Sequence, residues 1–378
     1  MLYIHIPFCK QLCAYCDFHF SVSLEWREQL VRALLCEMEE RSNYLPAPLL
    51  PATLYIGGGT PSALPPAELR GLIEKAGRLF TPPAFSEITV EINPDDSTPA
   101  YLSQLYVMGV TRLSIGVQSF HDRLLQLLRR RHSAQQAITC VKTAQAAGFK
   151  NITIDLMYGL PQQTPEEWRQ DVAQALSLHV PHISAYHLSI EPKTLFGKQH
   201  AKGTLLLPDE ETGAQQFLYL HHTLEKAGYE HYEISNFARN GFRAEHNSGY
   251  WQGFPYLGIG PSAHSYNGQS RQWNIANNRR YVASIENRLP AFEMETLTTE
   301  MRFNEYLLTS LRTAAGADLQ YLSKTFGEPF LQHCLQQAQR YLAAGDLLRT
   351  GNRLHIPPHR FLLADAVIRE LFSVRTKS

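Results

Sequence analysis

The chain has 378 residues, 44% of them hydrophobic, and its 35 basic residues balance its 35 acidic ones. This length fits one large domain plus a small one, and the balanced charge argues against a nucleic-acid or anionic-membrane partner. We expect no transmembrane segment, because no apolar run approaches the roughly 20 residues that cross a bilayer, and no signal peptide, because the start lacks a basic region. Six cysteines without a disulfide-like framework favour a reducing compartment and predict a cytoplasmic protein.

The chain begins with a short apolar run and then carries three closely spaced cysteines. Cys9, Cys13 and Cys16 follow residues 2–6 in a C-x3-C-x2-C pattern. Soft thiolates favour iron–sulfur clusters, zinc and Cu(I). Three cysteines can hold three irons of a cubane, which usually has four cysteine ligands, and so leave one iron open. A structural zinc site is the alternative, but zinc normally has four ligands in paired spacings, and the sequence has no second cysteine pair. The pattern therefore predicts a [4Fe–4S] cluster with an open iron.

Short β-rich runs alternate with amphipathic segments through the first half of the chain. Several of the runs are continuously apolar, as expected of strands buried on both faces. One helix has a clear start, with Thr164 as N-cap, Pro165 at the first helical position and Glu167 completing a capping box. Six strand–helix units in series predict an α/β fold with a parallel sheet, three-quarters of an eight-unit barrel. The predicted strands are 2–6, 53–56, 87–92, 112–117, 151–157 and 182–190, and the main predicted helices are 25–40, 67–80, 133–147 and 166–178.

Polar and glycine-rich residues recur at the carboxyl ends of these predicted strands. In parallel α/β barrels the site is built at that end of the strands, so we expect one large site there. The second strand is followed by Gly57-Gly58-Gly59-Thr60-Pro61, which lacks the Gly-Lys-Ser/Thr of a P-loop. By itself this run fits a tight turn about as well as a binding loop. The other candidates at strand ends are Glu91, Gln118, Asp155, Ser189 and Glu191.

The charged candidates allow two interpretations. Glu91 and Asp155 lie in apolar runs, where an unpaired carboxylate is costly. Each is expected either to pair with a helix arginine or to accept hydrogen bonds from ribose hydroxyls or an ammonium group of a ligand. Arg130 suits a carboxylate, because its planar guanidinium can bind such a group through two hydrogen bonds, whereas Arg129 and Arg131 are expected to be solvated. The remaining cysteines are expected to be buried core thiols: Cys36, Cys140 and Cys334.

The alternation changes from about residue 229. We predict a further strand over 232–237, then a glycine- and aromatic-rich segment that contains the run from His246 to Trp251. The C-terminal part resembles three helices and a hairpin, which predicts a small winged-helix-like domain. Its third helix carries only Arg340 as a basic residue, so DNA binding is not expected. The predicted elements are helices 300–312, 318–326 and 328–343, a hairpin 347–356 turning at 351–352, and a last helix 361–372. The predicted domains are a core 1–228, an extension 229–294 and a C-terminal domain 295–378.

The three-cysteine run resembles the signature of the radical S-adenosylmethionine (SAM) superfamily. The resemblance implies a partial (β/α)6 barrel and a [4Fe–4S] cluster whose open iron is chelated by the amine and carboxylate of SAM. One electron from the cluster then breaks a C–S bond and yields a 5′-deoxyadenosyl radical. It also implies that the run from Gly57 to Pro61 contacts the SAM amino group.

Further motifs narrow the resemblance to the oxygen-independent coproporphyrinogen III oxidase group. They are the runs 3–9, 57–61, 116–120, 154–161 and 246–251. One branch of this group is a dehydrogenase that decarboxylates coproporphyrinogen III, and the other is HemW, a haem-binding chaperone-like protein. Three features favour HemW: Phe18 stands where the dehydrogenase has a fourth cysteine, only eight residues precede the cysteine motif, and His246, Asn247, Tyr250 and Trp251 form the H-N-x-x-Y-W pattern.

The resemblance also implies roles for individual residues. His246 is the candidate haem ligand, through a neutral imidazole nitrogen. The implied partners are haem, a haem-acceptor protein and an electron donor. Whether the chain turns over a substrate stays open; if it does, it is expected to be an oxidoreductase of the coproporphyrinogen dehydrogenase type. The implied cluster ligands are Cys9, Cys13 and Cys16, and the implied SAM-site residues are Tyr3, Tyr15, Gly58, Gly59, Thr60, Glu91, Gln118, Arg130, Asp155 and Ser189.

Overall fold

The structure is a computed structural model that describes residues 1–80 and 84–373. Its strands are numbered here in chain order. They are β1 (Leu2–Ile6), β2 (Thr53–Gly58), β3 (Glu87–Ile92), β4 (Arg112–Gln118), β5 (Asn151–Tyr158), β6 (His182–His187), β7 (Glu230–Glu233), β8 (Asn236–Ala238), β9 (Leu257–Ile259), β10 (His264–Tyr266), β11 (Ser270–Asn274), β12 (Phe292–Thr296), β13 (Ala317–Asp318), β14 (Leu348–Thr350) and β15 (Arg353–His355).

The helices are numbered in the same way. Short 3-10 turns lie at Pro61–Ala63, Pro94–Asp96 and Pro358–Leu363. The α-helices are α1 (Arg27–Glu40), α2 (Pro66–Phe80), α3 (Pro99–Val107), α4 (Asp122–Leu127), α5 (Ala134–Ala146), α6 (Pro165–Ser177), α7 (Leu195–Ala201), α8 (Glu210–Lys226), α9 (Glu245–Trp251), α10 (Asn278–Glu286), α11 (Thr299–Ser310), α12 (Leu319–Phe326), α13 (Glu328–Ala344) and α14 (Ala364–Leu371).

The chain forms two compact units. The first comprises residues 1–216 and 255–295, and the second comprises 217–254 and 296–378. This division differs from the three consecutive segments expected from the sequence, because the predicted extension 229–294 is shared between the two units. Within the described residues, no helix is both long enough and apolar enough to cross a membrane.

The first unit is built around a parallel sheet with the order β6-β5-β4-β3-β2-β1-β9. Helices connect the strands, so the predicted partial (β/α)6 barrel is confirmed. All six predicted strands begin at the predicted residue. Their apolar side chains at alternate positions are buried on one face of the sheet: Leu54, Ile56, Leu113, Ile115, Val117, Ile152, Ile154 and Leu156. The positions between them carry mainly polar residues or glycine, so the continuous apolar pattern holds for one face only.

Two local predictions in this unit have opposite outcomes. The capping box of α6 is confirmed, because the Thr164 side chain accepts from the Glu167 amide and the Glu167 side chain accepts from the Thr164 amide. The prediction of a buried Cys36 is wrong, since that thiol is exposed while Cys140 and Cys334 are buried. Helix α1 buries Leu30, Val31, Ala33, Leu34, Glu37 and Met38, and Cys36 lies off that face.

The second unit contains the predicted C-terminal elements. Helices α11, α12 and α13 accompany a three-stranded antiparallel sheet of order β13-β15-β14, which is a winged-helix-like arrangement. The hairpin turns at Gly351, whose φ of 59° needs a residue tolerant of the left-handed region. The single strand predicted over 232–237 is wrong: the segment forms two antiparallel strands, β7 and β8. The chain turns at Ile234 and Ser235, and serine favours turns over strand interiors.

Candidate cofactor site

A cavity of about 640 Å³ lies at the carboxyl ends of the parallel strands in the first unit. This volume is in the range of small-molecule sites. The cavity brings together most of the residues that the sequence predicted. They are Cys9, Cys13, Tyr15, Cys16, Gly58, Gly59, Thr60, Glu91, Gln118, Arg130, Asp155 and Ser189.

The loop between β1 and α1 carries the three cysteines and is fixed by backbone hydrogen bonds. The Cys9 amide donates to the Ser21 carbonyl at 3.0 Å, and the Ser21 amide donates to the Pro7 carbonyl at 2.7 Å. Ala14 donates to the Leu128 carbonyl at 3.0 Å and belongs to a buried apolar cluster. The three thiols are half-buried at the cavity wall. The loop is therefore anchored at both ends and at its middle.

The spacing of the three sulfurs bears on which metal they could hold. Among the described residues, the group of three His, Cys, Asp or Glu ligand atoms that all lie within 4.8 Å of one another is His221, His222 and Glu225. The three cysteine sulfurs are therefore spread more widely than this. A single zinc ion bound at about 2.3 Å to each sulfur needs sulfurs roughly 4 Å apart, whereas cubane ligands bind different irons. The wider spacing fits a cluster better than a single zinc ion.

Donors from other elements face two of the sulfurs. Thr60 Oγ1 lies 3.5 Å from Cys9 Sγ, and Arg130 Nη1 lies 3.6 Å from Cys13 Sγ. Hydrogen bonds to sulfur and solvent exposure are the means by which a protein adjusts a cluster's potential. Burial raises the pKa of Cys16 to about 11, so this thiol is protonated at neutral pH and would release its proton when it ligates iron. The donor set thus fits a thiolate-bound cluster.

The glycine run after β2 lies against β1 and the cysteine loop. A Cβ on Gly58, whose φ is 108°, would lie 2.5 Å from the His5 ring, and a Cβ on Gly59 would lie 2.7 Å from the Phe8 carbonyl oxygen. The His5 ring is held between the Tyr3 hydroxyl, 3.1 Å from Nδ1, and the His19 carbonyl, 2.9 Å from Nε2. Close approach of backbone to neighbouring groups is the reason for glycine here. The run both makes a tight turn and lines the cavity.

Two buried carboxylates lie on β3 and β5, the strands on either side of β4. Glu91 accepts from the Tyr55 hydroxyl at 2.7 Å and from the Gly58 amide at 3.1 Å. Asp155 accepts from the Ser114 hydroxyl at 3.2 Å. Burial raises the pKa of Glu91 to about 7 and also raises that of Asp155. These hydrogen bonds come from neutral donors, so the arrangement supports the ligand-binding interpretation of the two carboxylates over the helix-arginine pairing.

Arg130 is already engaged by the protein. Its Nη2 donates to Asn93 Oδ1 at 2.6 Å and to the Gly116 carbonyl at 2.7 Å, in addition to the Cys13 contact. Among the described residues its buried Nε has no hydrogen-bond partner. Nη2 is therefore not available for the expected pair of hydrogen bonds to a ligand carboxylate. Arg131 is exposed, as expected, and also pairs with Asp95 at 3.1 Å.

Gln118 ends β4 in a strained conformation. Its φ is 69°, and the pairing of β4 with β5 shifts register between Ile115 and Gln118. A residue other than glycine in this region costs free energy and often lies at a functional site. The irregularity turns the Gln118 side chain into the cavity wall.

Three residues that the sequence singled out lie elsewhere or have different contacts from those expected. Tyr3 is not among the cavity-lining residues, and its hydroxyl lies on His5 as described above. Phe18, at the position of the absent fourth cysteine, lines the cavity and is 72% exposed. His246 belongs to α9 of the second unit, is 1% exposed, and has its Nε2 3.0 Å from the Tyr250 hydroxyl.

The sequence analysis missed the residues that orient the cavity side chains. Asn93 donates to Thr60 Oγ1 at 3.2 Å and accepts from Arg130. Tyr55 and Ser114 donate to the two carboxylates. Ser114 and Glu91 are register partners on β4 and β3. The strand register, which pairs Ser114 with Glu91 on the adjacent strand, could have predicted its position in the cavity.

Comparisons with known proteins agree with this geometry. The family model of the Radical SAM superfamily matches residues 3–175. A protein of Bacillus subtilis named heme chaperone HemW is 38% identical over 86% of this chain and 86% of its own length. One of Mycobacterium tuberculosis with the same name is 33% identical over 98% of this chain and 94% of its own length.

Among solved structures, coproporphyrinogen III oxidase (HemN) from Escherichia coli, described as a radical SAM enzyme, has the same fold. It superposes with a TM-score of 0.83 over 98% of this chain and 89% of its own chain, at 23% sequence identity. At that identity the likeness extends to the fold alone, whereas the closer sequence relatives identify the family. This radical SAM chain belongs to the HemW family.

Proposed function

We propose that this protein is a haem chaperone that carries a [4Fe–4S] cluster, binds SAM and delivers haem to an acceptor protein. The main support is the convergence of the three cysteines, the glycine run and the strand-end polar residues on one cavity, in a chain whose relatives are named heme chaperones. A cytoplasmic electron donor would reduce the cluster. The proposal places the protein itself in the cytoplasm, where cysteines stay reduced.

The residues of the cavity would divide between the two cofactors. Cys9, Cys13 and Cys16 would hold the cluster, and the contacts of Thr60 and Arg130 with two of the sulfurs would stabilise the thiolates. The cluster supplies a low-potential electron when it is bound. The polypeptide contributes the half-buried loop that limits access of water to the sulfurs.

SAM would occupy the rest of the cavity. Its sulfonium carries a positive charge, and Glu91 and Asp155 are two of the carboxylates that line the cavity, with Glu91 accepting from the Gly58 amide. Opposite charges in a partly desolvated site attract more strongly than in water. The Gly58 and Gly59 backbone lets a ligand approach closely, and Tyr15, Gln118 and Ser189 supply further polar contacts along the wall.

Haem would be bound in the second unit through His246. The Tyr250 hydroxyl lies 3.0 Å from Nε2 and edge-on to the imidazole at a ring separation of 5.1 Å. A tyrosine hydroxyl can donate to an unprotonated Nε2, which is the state of the nitrogen that ligates iron. Because the ring is buried, ligation requires a local opening of α9 that exchanges the tyrosine hydroxyl for the metal.

One experiment separates the chaperone from the dehydrogenase. Anaerobically reconstituted protein is supplied with reductant, SAM and coproporphyrinogen III, and the same preparation is titrated with haem. We expect stoichiometric haem binding and no protoporphyrinogen, since Phe18 replaces the fourth cysteine found in the dehydrogenase. Formation of protoporphyrinogen would contradict the proposal and assign the dehydrogenase activity.

A further inference from the structure

The second unit contains a histidine cluster that the proposed function does not use. On α8, ligand atoms of His221, His222 and Glu225 all lie within 4.8 Å of one another. His221 Nε2 and Glu225 Oε2 are 3.9 Å apart. The rings of His221 and His222 have centroids 5.2 Å apart, and the ring of His359 lies 6.3 Å from that of His221. Imidazole and carboxylate ligands together suit divalent transition metals.

We propose that His221, His222 and Glu225 bind a divalent transition metal of the Zn²⁺ class, with His359 as the fourth ligand. Three nitrogens and one oxygen make a donor set that Zn²⁺ accepts in tetrahedral geometry. This site is separate from the three cysteines and independent of haem and SAM binding. Its four ligands all belong to the second unit.

Hydrogen bonding fixes the protonation of His221 in the form that binds metal. His231 Nε2 lies 3.4 Å from the Ile234 carbonyl oxygen, which can only accept, so this nitrogen carries the proton. His231 Nδ1 is then an acceptor, and it lies 3.1 Å from His221 Nδ1, which must carry a proton. The lone pair of His221 is therefore on Nε2, the nitrogen that faces Glu225. Metal-binding histidines commonly have their second ring nitrogen oriented in this way.

The supporting histidine is itself held rigidly. The His231 ring stacks on Phe237 with centroids 3.9 Å apart and meets Phe361 edge-on at 5.0 Å. His231 is 5% exposed, and its Nε2 faces the Ile234 carbonyl, which leaves Nδ1 as the acceptor. A rigid acceptor orients His221 before any metal arrives.

The outer ligands lie on exposed side chains, which can rotate toward a metal. His222, Glu225 and His359 are exposed, whereas His221 is buried. Metal–ligand bonds of about 2.0–2.1 Å place tetrahedral ligand atoms roughly 3.3 Å apart, closer than the 4.8 Å limit within which the ligand atoms of His221, His222 and Glu225 lie. Rotation of exposed side chains about one fixed histidine supplies this contraction.

The test uses the full chain with its cluster reconstituted, so that the three cysteines are occupied. Zn²⁺ is titrated against a chelator of known affinity, and we expect one high-affinity ion per chain. His222→Ala and Glu225→Gln, both at exposed positions, should weaken Zn²⁺ binding by about a hundredfold or more, because even changes outside the ligands cost 10–100-fold. The matched control is His200→Ala, an exposed histidine of α7 in the first unit, which should leave binding unchanged.

A second pair of variants tests the supporting hydrogen bond. His231→Phe keeps an aromatic ring beside Phe237 but removes the acceptor, and should weaken Zn²⁺ binding by about 10–100-fold. His231→Gln keeps an acceptor oxygen and should retain more of the affinity. Circular dichroism of each variant checks that it is folded.

X-ray absorption at the zinc edge identifies the ligands directly. Imidazole scattering with only nitrogen and oxygen neighbours is the expected result. Zinc–sulfur scattering, unchanged binding in the His222 and Glu225 variants, or no tight Zn²⁺ binding by the unmodified chain would each overturn the proposal. None of these outcomes depends on whether the chain binds haem.

Discussion

The cavity of the first unit and the helix that carries His246 in the second unit differ in how their polar side chains are engaged. Glu91 and the three cysteines line an open space of about 640 Å³. His246, by contrast, is almost fully buried with its Nε2 against the Tyr250 hydroxyl. If the proposed ligands are right, the first site is formed before they arrive, whereas the second has to exchange an internal hydrogen bond for haem. Cluster and SAM binding should therefore be governed by the side chains present, and haem binding by the cost of opening.

The largest expected effect is loss of the cluster. Replacing Cys9, Cys13 or Cys16 with Ala should abolish the [4Fe–4S] cluster, because each would remove one of only three protein ligands. Iron and sulfide analysis with EPR of the reduced protein measures this. Cys36→Ala is the matched control, since that thiol is exposed on α1, and it should keep the full iron content.

Two outcomes would contradict the expected cluster in the cavity. Stoichiometric zinc without a cluster signal in the unmodified protein would replace the cluster with a structural metal site. Retention of the cluster after loss of one cysteine would mean that another residue completes the ligand set.

The next effect concerns haem and the closed site. His246→Ala should weaken haem binding by about a hundredfold or more, because loss of a ligand exceeds the 10–100-fold cost of changing its neighbours, and should shift the Soret band. Tyr250→Phe keeps the imidazole and the ring packing but removes the hydroxyl that lies on Nε2. If opening is the cost of binding, this variant should bind haem as tightly as the unmodified chain or more tightly.

The two variants test separate claims: His246→Ala tests whether His246 is the haem ligand, and Tyr250→Phe tests whether opening limits haem binding. Haem binding that survives His246→Ala would move the ligand to another residue. Weaker binding by Tyr250→Phe would show that the hydroxyl supports the complex and that the closed arrangement is not a barrier.

The strands of the first unit could be predicted from the sequence to the residue at their starts, but less well at their ends. Continuous apolar runs bounded by turn residues fix where a buried parallel strand begins. Strands β2 and β4 extend beyond the predicted ends to Gly58 and Gln118, where the backbone has positive φ and lines the cavity. Strand β6 stops earlier than predicted, at His187. These ends are set by the cavity, which is a product of tertiary structure.

Residues whose own chemistry marks them as unusual could be predicted from the sequence. Residues that only orient a neighbouring side chain could not. The cysteines and Glu91 were visible as unusual residues in their runs. Tyr55 and Asn93 were not, because their roles depend on which side chains the sheet places beside them. The buried Glu37, which is held by Arg41, Asn274 and Tyr281, was hidden for the same reason: Asn274 and Tyr281 are distant from it in sequence.

A stability effect of intermediate size tests how tightly the glycine run is packed. Gly58→Ala should lower the free energy of unfolding by about 1–3 kcal/mol, because it combines a positive φ with a Cβ that meets the His5 ring. Gly71→Ala is the matched control: Gly71 lies inside α2 with nothing within 4 Å of an added Cβ, and the change should raise stability by about 0.5–1 kcal/mol. Denaturant unfolding of both variants measures the difference. Equal effects would mean that the run is loose and not part of a preformed wall.

The last effect is the pH dependence that Glu91 contributes, which is confined to a narrow pH window. Burial raises the pKa of Glu91 from 4.5 to about 7 in the folded protein, so between these values the folded state binds more protons than the unfolded state. Stability from this group is then fully present below pH 4.5 and is lost as the pH rises through about 7. Glu91→Gln stays neutral, so the difference in unfolding free energy between the variant and the unmodified chain should shift in favour of the variant by about 3 kcal/mol across this window.

SAM binding tests whether this pH dependence arises in the cavity. A bound sulfonium would favour the ionised carboxylate and lower the pKa of Glu91, so added SAM should reduce the pH-dependent difference between Glu91→Gln and the unmodified chain. Glu233 is the matched control, because its pKa is also raised to about 7 by burial but it lies in the second unit. The pH-dependent difference for Glu233→Gln should not respond to SAM. An equal response of both variants, or of neither, would mean that Glu91 does not face the ligand. SAM would then contact other residues of the cavity.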